Sequence, residues 1–283
     1  MKKCFLTEAR PQTRMLGQAG LAVSCVGIGA LPIGPGQLNL PLEEGSAVIC
    51  DALRRGISFI DTAQYYRTYP YIRHALEVMG FVTEENICGA ATLSAGKNPH
   101  DAALPLISSK SLASSYGDMM AAIEECRDAL GLKTIDIFLM HEVRSGQFAA
   151  RAGAWQALQD AKRAGLVRAI GISTHHGDVA RAMADVSACD VVFALLNYRG
   201  MGIRCGQEAG TKEAMVAALT VCKAAGKGIY TMKALGGGNL TADYQKALDY
   251  VFSQDCVDAV MLGFTNTSKI DDMMRYLSGK MES

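Results

Sequence analysis

The chain has 283 residues, 28 Lys+Arg against 28 Asp+Glu, and 49% apolar residues: a folded globular composition, long enough for one α/β barrel. Balanced charge excludes a nucleic-acid binder acting through bulk electrostatics, though not a local phosphate pocket. No apolar run approaches the ~20 residues that span a bilayer. The basic start is broken by Glu8, Arg10, Pro11 and Arg14 before an apolar core forms, so no membrane segment or cleaved leader is expected and a cytoplasmic location is inferred.

In chain order, residues 14–23 predict a small hairpin turning at 18–20 and capping one end of a barrel, with a first short strand over 22–27. Helix 43–55 follows, with Val48, Ile49, Ala52 and Leu53 on one face, and then strand 57–60. Residues 80–103 contain Gly89, Gly96 and Pro99 and are too long for an ordinary connection, so they are expected to be an insertion or lid. Strand 104–107 precedes helix 116–130, whose Met119, Ile123, Cys126 and Leu130 share a face. The alternation continues as strand 135–140, helix 150–164, strand 167–172, helix 178–184, strand 191–196 and helix 212–224. Strand 228–232, helix 242–252, strand 257–262 and helix 268–277 complete it. Gly56, Gly131, Gly165 and Gly226 stand where helices should stop.

The strand runs are continuously apolar, as in parallel strands buried on both faces. Eight such units predict an α/β fold, a (β/α)₈ TIM barrel with an N-terminal β-hairpin cap, as one domain over 1–283. The nine cysteines are scattered, with no C-x-x-C, which points to reduced thiols and to no metal or cluster site. His175 and His176 lack partners at ligand spacing. No G-x-G-x-x-G opens a helix after the first strand, since Gly27-Ile-Gly-Ala has the wrong spacing and Pro32 follows.

A barrel of this kind works at the carboxyl ends of its strands. There the sequence places Asp61 to Tyr66, Ser108 to Lys110, His141-Glu142, Ser173 to His176, Lys233 to Gly238, and Gly263 onward. Alone, Asp61 is a buried cap, Lys110 a solvated loop lysine and His141 a structural histidine; together on one rim they form a chemical set. A tyrosine hydroxyl is a poor acid at its ordinary pKa of about 10. A nearby ammonium favours phenolate, and an aspartate holds the ammonium. The set suits protonation of a carbonyl oxygen as hydride reaches its carbon.

The chain resembles the aldo-keto reductase family over nearly its whole length. The resemblance is carried by Leu16-Gly-Gln-Ala-Gly-Leu21, by Gly56-Ile-Ser-Phe-Ile-Asp-Thr-Ala-Gln-Tyr-Tyr66 and by Ile135-Asp-Ile-Phe-Leu-Met-His141. Gly165-Leu-Val-Arg-Ala-Ile-Gly-Ile-Ser173 and Met232-Lys-Ala-Leu-Gly-Gly-Gly238 extend it. It implies an NAD(P)-dependent oxidoreductase with a catalytic tetrad of Asp61, Tyr66, Lys110 and His141, Tyr66 being preferred to Tyr65 by its spacing from Asp61. For the lysine, an alternative register pairs 87–92 with the family's lysine strand and supplies none. The register through Lys110 leaves one helix before His141, as one βα unit requires.

The resemblance further implies NADPH as cofactor, with NADH allowed. Gly29, Ser173, Thr174, Met232, Lys233, Leu235, Gly236, Gly237, Gly238, Gly263, Thr265 and Lys269 stand at the cofactor-binding positions. Ser173 would hold the carboxamide, Met232 the nicotinamide face, the Lys233–Gly238 turn the pyrophosphate, and Lys269 the 2′-phosphate. Phe193 replaces the usual glutamine, Thr174 a common asparagine and Lys269 a common arginine. Some bacterial relatives carry a Cys-rich C-terminal ferredoxin-like extension, and electron transfer through such a domain is not expected in this chain. The expected partner is a small carbonyl compound, with substrate choice in loops 31–42, 80–103, 144–148 and 199–210. Two other readings compete: a non-catalytic nucleotide-binding member acting as a regulatory or partner subunit, and a barrel lyase or isomerase working through Lys233.

Overall fold

The protein was analysed as a computed structural model that describes residues 6–7, 10–82 and 105–279. Eight parallel strands close into a barrel: β1 (Val26–Gly29), β2 (Phe59–Asp61), β3 (Leu106–Ser111), β4 (Ile135–Met140), β5 (Val167–Thr174), β6 (Val191–Leu195), β7 (Gly228–Met232) and β8 (Ala259–Leu262). Sequential strands are neighbours, and β8 returns to β1 with Leu262 opposite Ile28. Each strand is followed by an outer helix: α1 (Leu42–Arg54), α2 (Tyr69–Val78), α3 (Tyr116–Leu130), α4 (Ala152–Arg163), α5 (Gly177–Ala182), α6 (Lys212–Ala224), α7 (Tyr244–Phe252) and α8 (Thr267–Leu277). The continuous apolar runs are explained by burial on both faces; every residue of β2, β6 and β8 is buried.

The hairpin cap is present, and it corrects the first strand. Ala22–Ser24 pairs antiparallel with Thr13–Met15, and Leu16 N–H donates to Leu21 C=O at 2.8 Å to close the turn. The barrel strand starts only after Cys25, at Val26, because the edge of 22–24 is already used by the hairpin. Gly17 lies at φ +53°, and a Cβ there would sit 2.3 Å from Gly228 N, so the turn is pressed onto the foot of β7. Leu16, Leu21 and Val23 plug the barrel beneath Phe59, Ile137 and Tyr230. The thiol expectation is also corrected: Cys25 is disulfide-bonded, whereas Cys50, Cys126, Cys189, Cys205, Cys222 and Cys256 are free.

Two further differences concern the site. β3 runs through to Ser111, past the expected end at 107, so Lys110 is a strand residue and not a loop residue. Helix α2 was not among the expected elements; Pro70 in its first turn and the spacing of Ile72, Ala75 and Leu76 on a buried face were its signals. Of the expected insertion 80–103, residues 83–103 lie outside the described residues, as does the alternative lysine register at 87–92.

At the foot of the barrel, three of the four even-numbered strands, β4, β6 and β8, share one device. Asp136, Asp190 and Asp258 each accept from the backbone N–H of the preceding strand, at Ile107, Ile170 and Ile229, all at 2.9 Å. Each carboxylate also meets a cation: Arg168 at 2.7 Å, Lys162 at 2.6 Å, and Lys223.

Candidate active site

β2 and β3 lie side by side with Asp61 opposite Ser108, which brings Lys110 over the end of β2. Lys110 Nζ, fully buried, donates to Asp61 Oδ2 at 2.6 Å and to Thr62 C=O at 2.7 Å. Burial pushes the Asp61 carboxyl up and the Lys110 ammonium down, and each group's charge opposes the shift of the other. A paired buried ion of this kind is expensive to break, because one removed partner leaves the other uncompensated. Two aromatic faces flank the ammonium, with Tyr66 centred 4.8 Å away and Phe193 5.1 Å away.

Tyr66 belongs to a short 3₁₀ turn, Gln64–Tyr66, just beyond β2. Its ring meets the His141 ring edge-on at 5.5 Å and 82°. Tyr65, by contrast, is 74% exposed. The structure therefore brings Asp61, Tyr66, Lys110 and His141 together on one rim. The expected pull of the ammonium on the tyrosine is not what prevails. Burial, then Asp61 and Glu142, push the Tyr66 hydroxyl up, so it is held protonated. The charge of Lys110 is already engaged by Asp61.

His141 ends β4 and is buried, and its Nδ1 has no hydrogen-bond partner. Burial, followed by the charges of Lys110 and Arg151, pulls it down to about 2, so the imidazole is neutral. Sequence reasoning missed Arg151. This buried guanidinium donates to the carbonyls of His141 at 2.8 Å, Ser111 at 3.1 Å and Ala113 at 2.9 Å, tying together the ends of β3 and β4. An arginine just before a helix carries no motif that would have singled it out. Tyr230 was missed as well; its hydroxyl lies 2.8 Å from Ser108 Oγ, and its ring stacks on Phe193 at 4.2 Å, filling the barrel beneath Lys110. Three non-glycine residues on this rim have left-handed backbones: Arg67, Glu142 and Lys233, at φ +56°, +49° and +59°.

The positions expected to hold the cofactor occupy the ends of β1, β5, β7 and β8. Ser173 Oγ accepts from Glu142 N–H at 2.9 Å, which leaves its own proton to donate. Thr174 is turned inward: its hydroxyl donates to Val143 C=O at 2.7 Å and accepts from His176 N–H at 2.9 Å, so it supports the rim and does not face a ligand. Met232 is half-buried at the end of β7, and Leu235 packs into a small cluster with Tyr198 and Leu240. Gly29 has room for a Cβ, whereas Gly263 does not, because Pro32 Cγ would lie 2.4 Å from it. Gly263 thus has a packing reason of its own. Thr265 is half-buried ahead of the Asn266 cap of α8, and Lys269 is exposed, 3.7 Å from Asp272.

These residues fit a dinucleotide. Gly237 and Gly238 have positive φ and nothing within 4 Å of an added Cβ, which makes an open backbone ledge beside the exposed Lys233. Among the described residues no group of three or more His, Cys, Asp or Glu could hold a metal ion.

Comparison with known proteins gives the family. The aldo/keto reductase family model matches residues 25–249. An L-galactose dehydrogenase of Arabidopsis thaliana is 26% identical over 233 residues, covering 81% of this chain and 67% of the relative. Among solved structures, a Pseudomonas aeruginosa protein assigned as an aldo-keto reductase superposes with a TM-score of 0.71 at 21% identity, over 95% of both chains. The aldo-keto reductase AKR11C1 of Bacillus halodurans, in its holo form, does so at 0.71 and 14% identity, over 96% of this chain and 92% of its own. At these identities the two structures speak for the fold.

Proposed function

The chain belongs to the aldo/keto reductase family and is an NAD(P)-dependent oxidoreductase, and from that premise we propose that it reduces an aldehyde or ketone with NADPH, Tyr66 supplying the proton. The observation that carries this reading is the conjunction at the rim: Lys110 Nζ 2.6 Å from Asp61 and 4.8 Å from the Tyr66 ring centre, with His141 against that same ring.

The nicotinamide, when bound, supplies the hydride. Ser173, Met232, the Lys233–Gly238 turn and Lys269 are the residues that would hold the dinucleotide. Tyr66 donates its hydroxyl proton to the carbonyl oxygen, and burial keeps that proton in place until the oxygen becomes basic. The neutral His141 holds the carbonyl oxygen near Tyr66 by hydrogen bonding, with its backbone fixed by Arg151. Asp61 fixes Lys110, whose charge stabilises negative charge developing on the tyrosine oxygen. With the phenol protonated, Tyr66 is the acid for reduction, and the reverse alcohol oxidation uses the same groups with the Tyr66 phenolate as base.

The test is NADPH consumption over a panel of aldehydes and ketones, including hydroxy-carbonyl sugars because one relative is an L-galactose dehydrogenase. Tyr66→Phe is expected to lower turnover by about 10²–10⁴-fold, the usual worth of a positioned proton donor. Equal turnover in the variant would remove Tyr66 from the chemistry. Phe193, packed against Tyr230 where the family commonly has a glutamine, favours the second reading of a nucleotide-binding member without turnover. Tight NADPH binding without reduction of any panel member would support that reading instead.

A further inference from the structure

Beside His141 the rim opens into a cleft of about 390 Å³, lined by Glu142, Arg144, His175, His176, Arg204 and Gln207 among others. Apart from Val143 and the glycines at 202 and 206, its lining side chains are polar or charged, which suits a polar substrate group. A small ribbon, Arg204–Cys205 paired with Glu208–Ala209, forms the outer wall. It is pinned to the end of β5 by the Arg204 N–H bond to His175 C=O at 2.9 Å and by the bridge between His176 and Arg204. The Arg204 guanidinium donates to Gln207 C=O, and among the described residues no carboxylate lies within ion-pair distance of it. Arg144 has one weak acidic contact, with Glu142 at 3.4 Å, and is 64% exposed. Asp178 borders the cleft and is engaged there, accepting from Ser145 Oγ at 2.6 Å and from the Gly206 N–H at 3.4 Å. Burial, followed by the charge of nearby Lys233, keeps His175 neutral.

We propose that this cleft binds a carboxylate group of the substrate, held by Arg204 and Arg144, so that the enzyme's substrates are oxo acids whose carbonyl reaches Tyr66 and His141. An arginine fork with no acidic partner of its own is matched to a planar carboxylate. Glu142 and His175, which line the cleft, lie close enough for their charges to act on Tyr66 and His141 respectively, so the cleft adjoins the carbonyl site. The inference deepens the carbonyl-reductase reading and rests on it for the identity of the reacting group.

Its test pairs ω-oxo acids of four to six carbons with their primary amides, comparing kcat/KM in the wild type, Arg204→Gln and Arg144→Gln. The wild type is expected to favour the acid by about tenfold or more, through KM, and Arg204→Gln to bring the ratio towards one. A wild-type ratio near one, or an unchanged ratio in both variants, would overturn the proposal. Succinate titrated into the wild-type protein, followed by NMR of the histidine rings, gives a readout that needs no turnover. Shifts at His175 and His176 that persist with NADPH present support the cleft even if no carbonyl is reduced, and the reductase reading alone would then fail. Absent shifts, or shifts abolished by NADPH, would assign the cleft to something other than substrate.

Discussion

Burial, then Asp61 and Glu142, push the Tyr66 hydroxyl up although the Lys110 ammonium lies 4.8 Å from its ring centre. The two directions of reaction should therefore respond differently to pH. Reduction needs the phenol and should hold its rate through neutral pH, falling only once the solution is strongly alkaline. Oxidation needs the phenolate and should rise steadily over the same range. Parallel pH profiles of kcat in both directions check this, and a reduction rate that collapses near pH 7 would contradict it. His141 makes a second prediction. In the unfolded chain it takes up a proton near 6.5, whereas the folded imidazole does so only at about 2. Its contribution to stability is thus complete above pH 6.5 and is lost as pH falls below it, by up to about 1.4 kcal/mol per pH unit. Denaturant melts between pH 7 and 5 should show a steeper acid loss for the wild type than for His141→Asn; identical slopes would mean that the imidazole is charged in the fold.

The elements owe their positions to groups that no hydropathy pattern reveals. Asp136, Asp190 and Asp258 each cap an N–H of the preceding strand, so neighbouring strands are held in register from the foot of the barrel. Asp258→Ala should leave the buried Ile229 N–H and the Lys223 ammonium without their partner, costing about 1–3 kcal/mol. Thermal melting should fall by a few degrees while kcat/KM is unchanged, because the site lies at the other end of the barrel; an unaltered melting temperature would show the clamp to be dispensable. The barrel strands were legible because parallel strands buried on both faces are written as unbroken apolar runs. β3 was misjudged at its end because Ser108, Ser109 and Lys110 are polar yet buried, satisfied by Tyr230, Tyr69 and Asp61. The ribbon that walls the cleft was hidden within an expected loop, since strands of two residues leave no period to detect.

At the scale of the whole molecule the hairpin plugs one end of the barrel with Leu16, Leu21 and Val23, and the chemistry gathers at the other. Six strand ends could be named as polar from sequence, but not which side chains turn inward; the Thr174 hydroxyl is taken up by the backbone, and Gly263 has a packing role that no motif announces. Arg151 and Tyr230 act on the site from beneath it, and residues that act through others carry no motif. The measurement that bears most directly on the account is a single-turnover experiment on the wild type and Tyr66→Phe: NADPH fluorescence to follow binding, then rapid mixing with a reducible carbonyl compound to follow hydride transfer. The account predicts equal NADPH affinity in both proteins and a transfer step at least about 100-fold slower in the variant. Equal transfer rates, or no NADPH binding by the wild type, would contradict it.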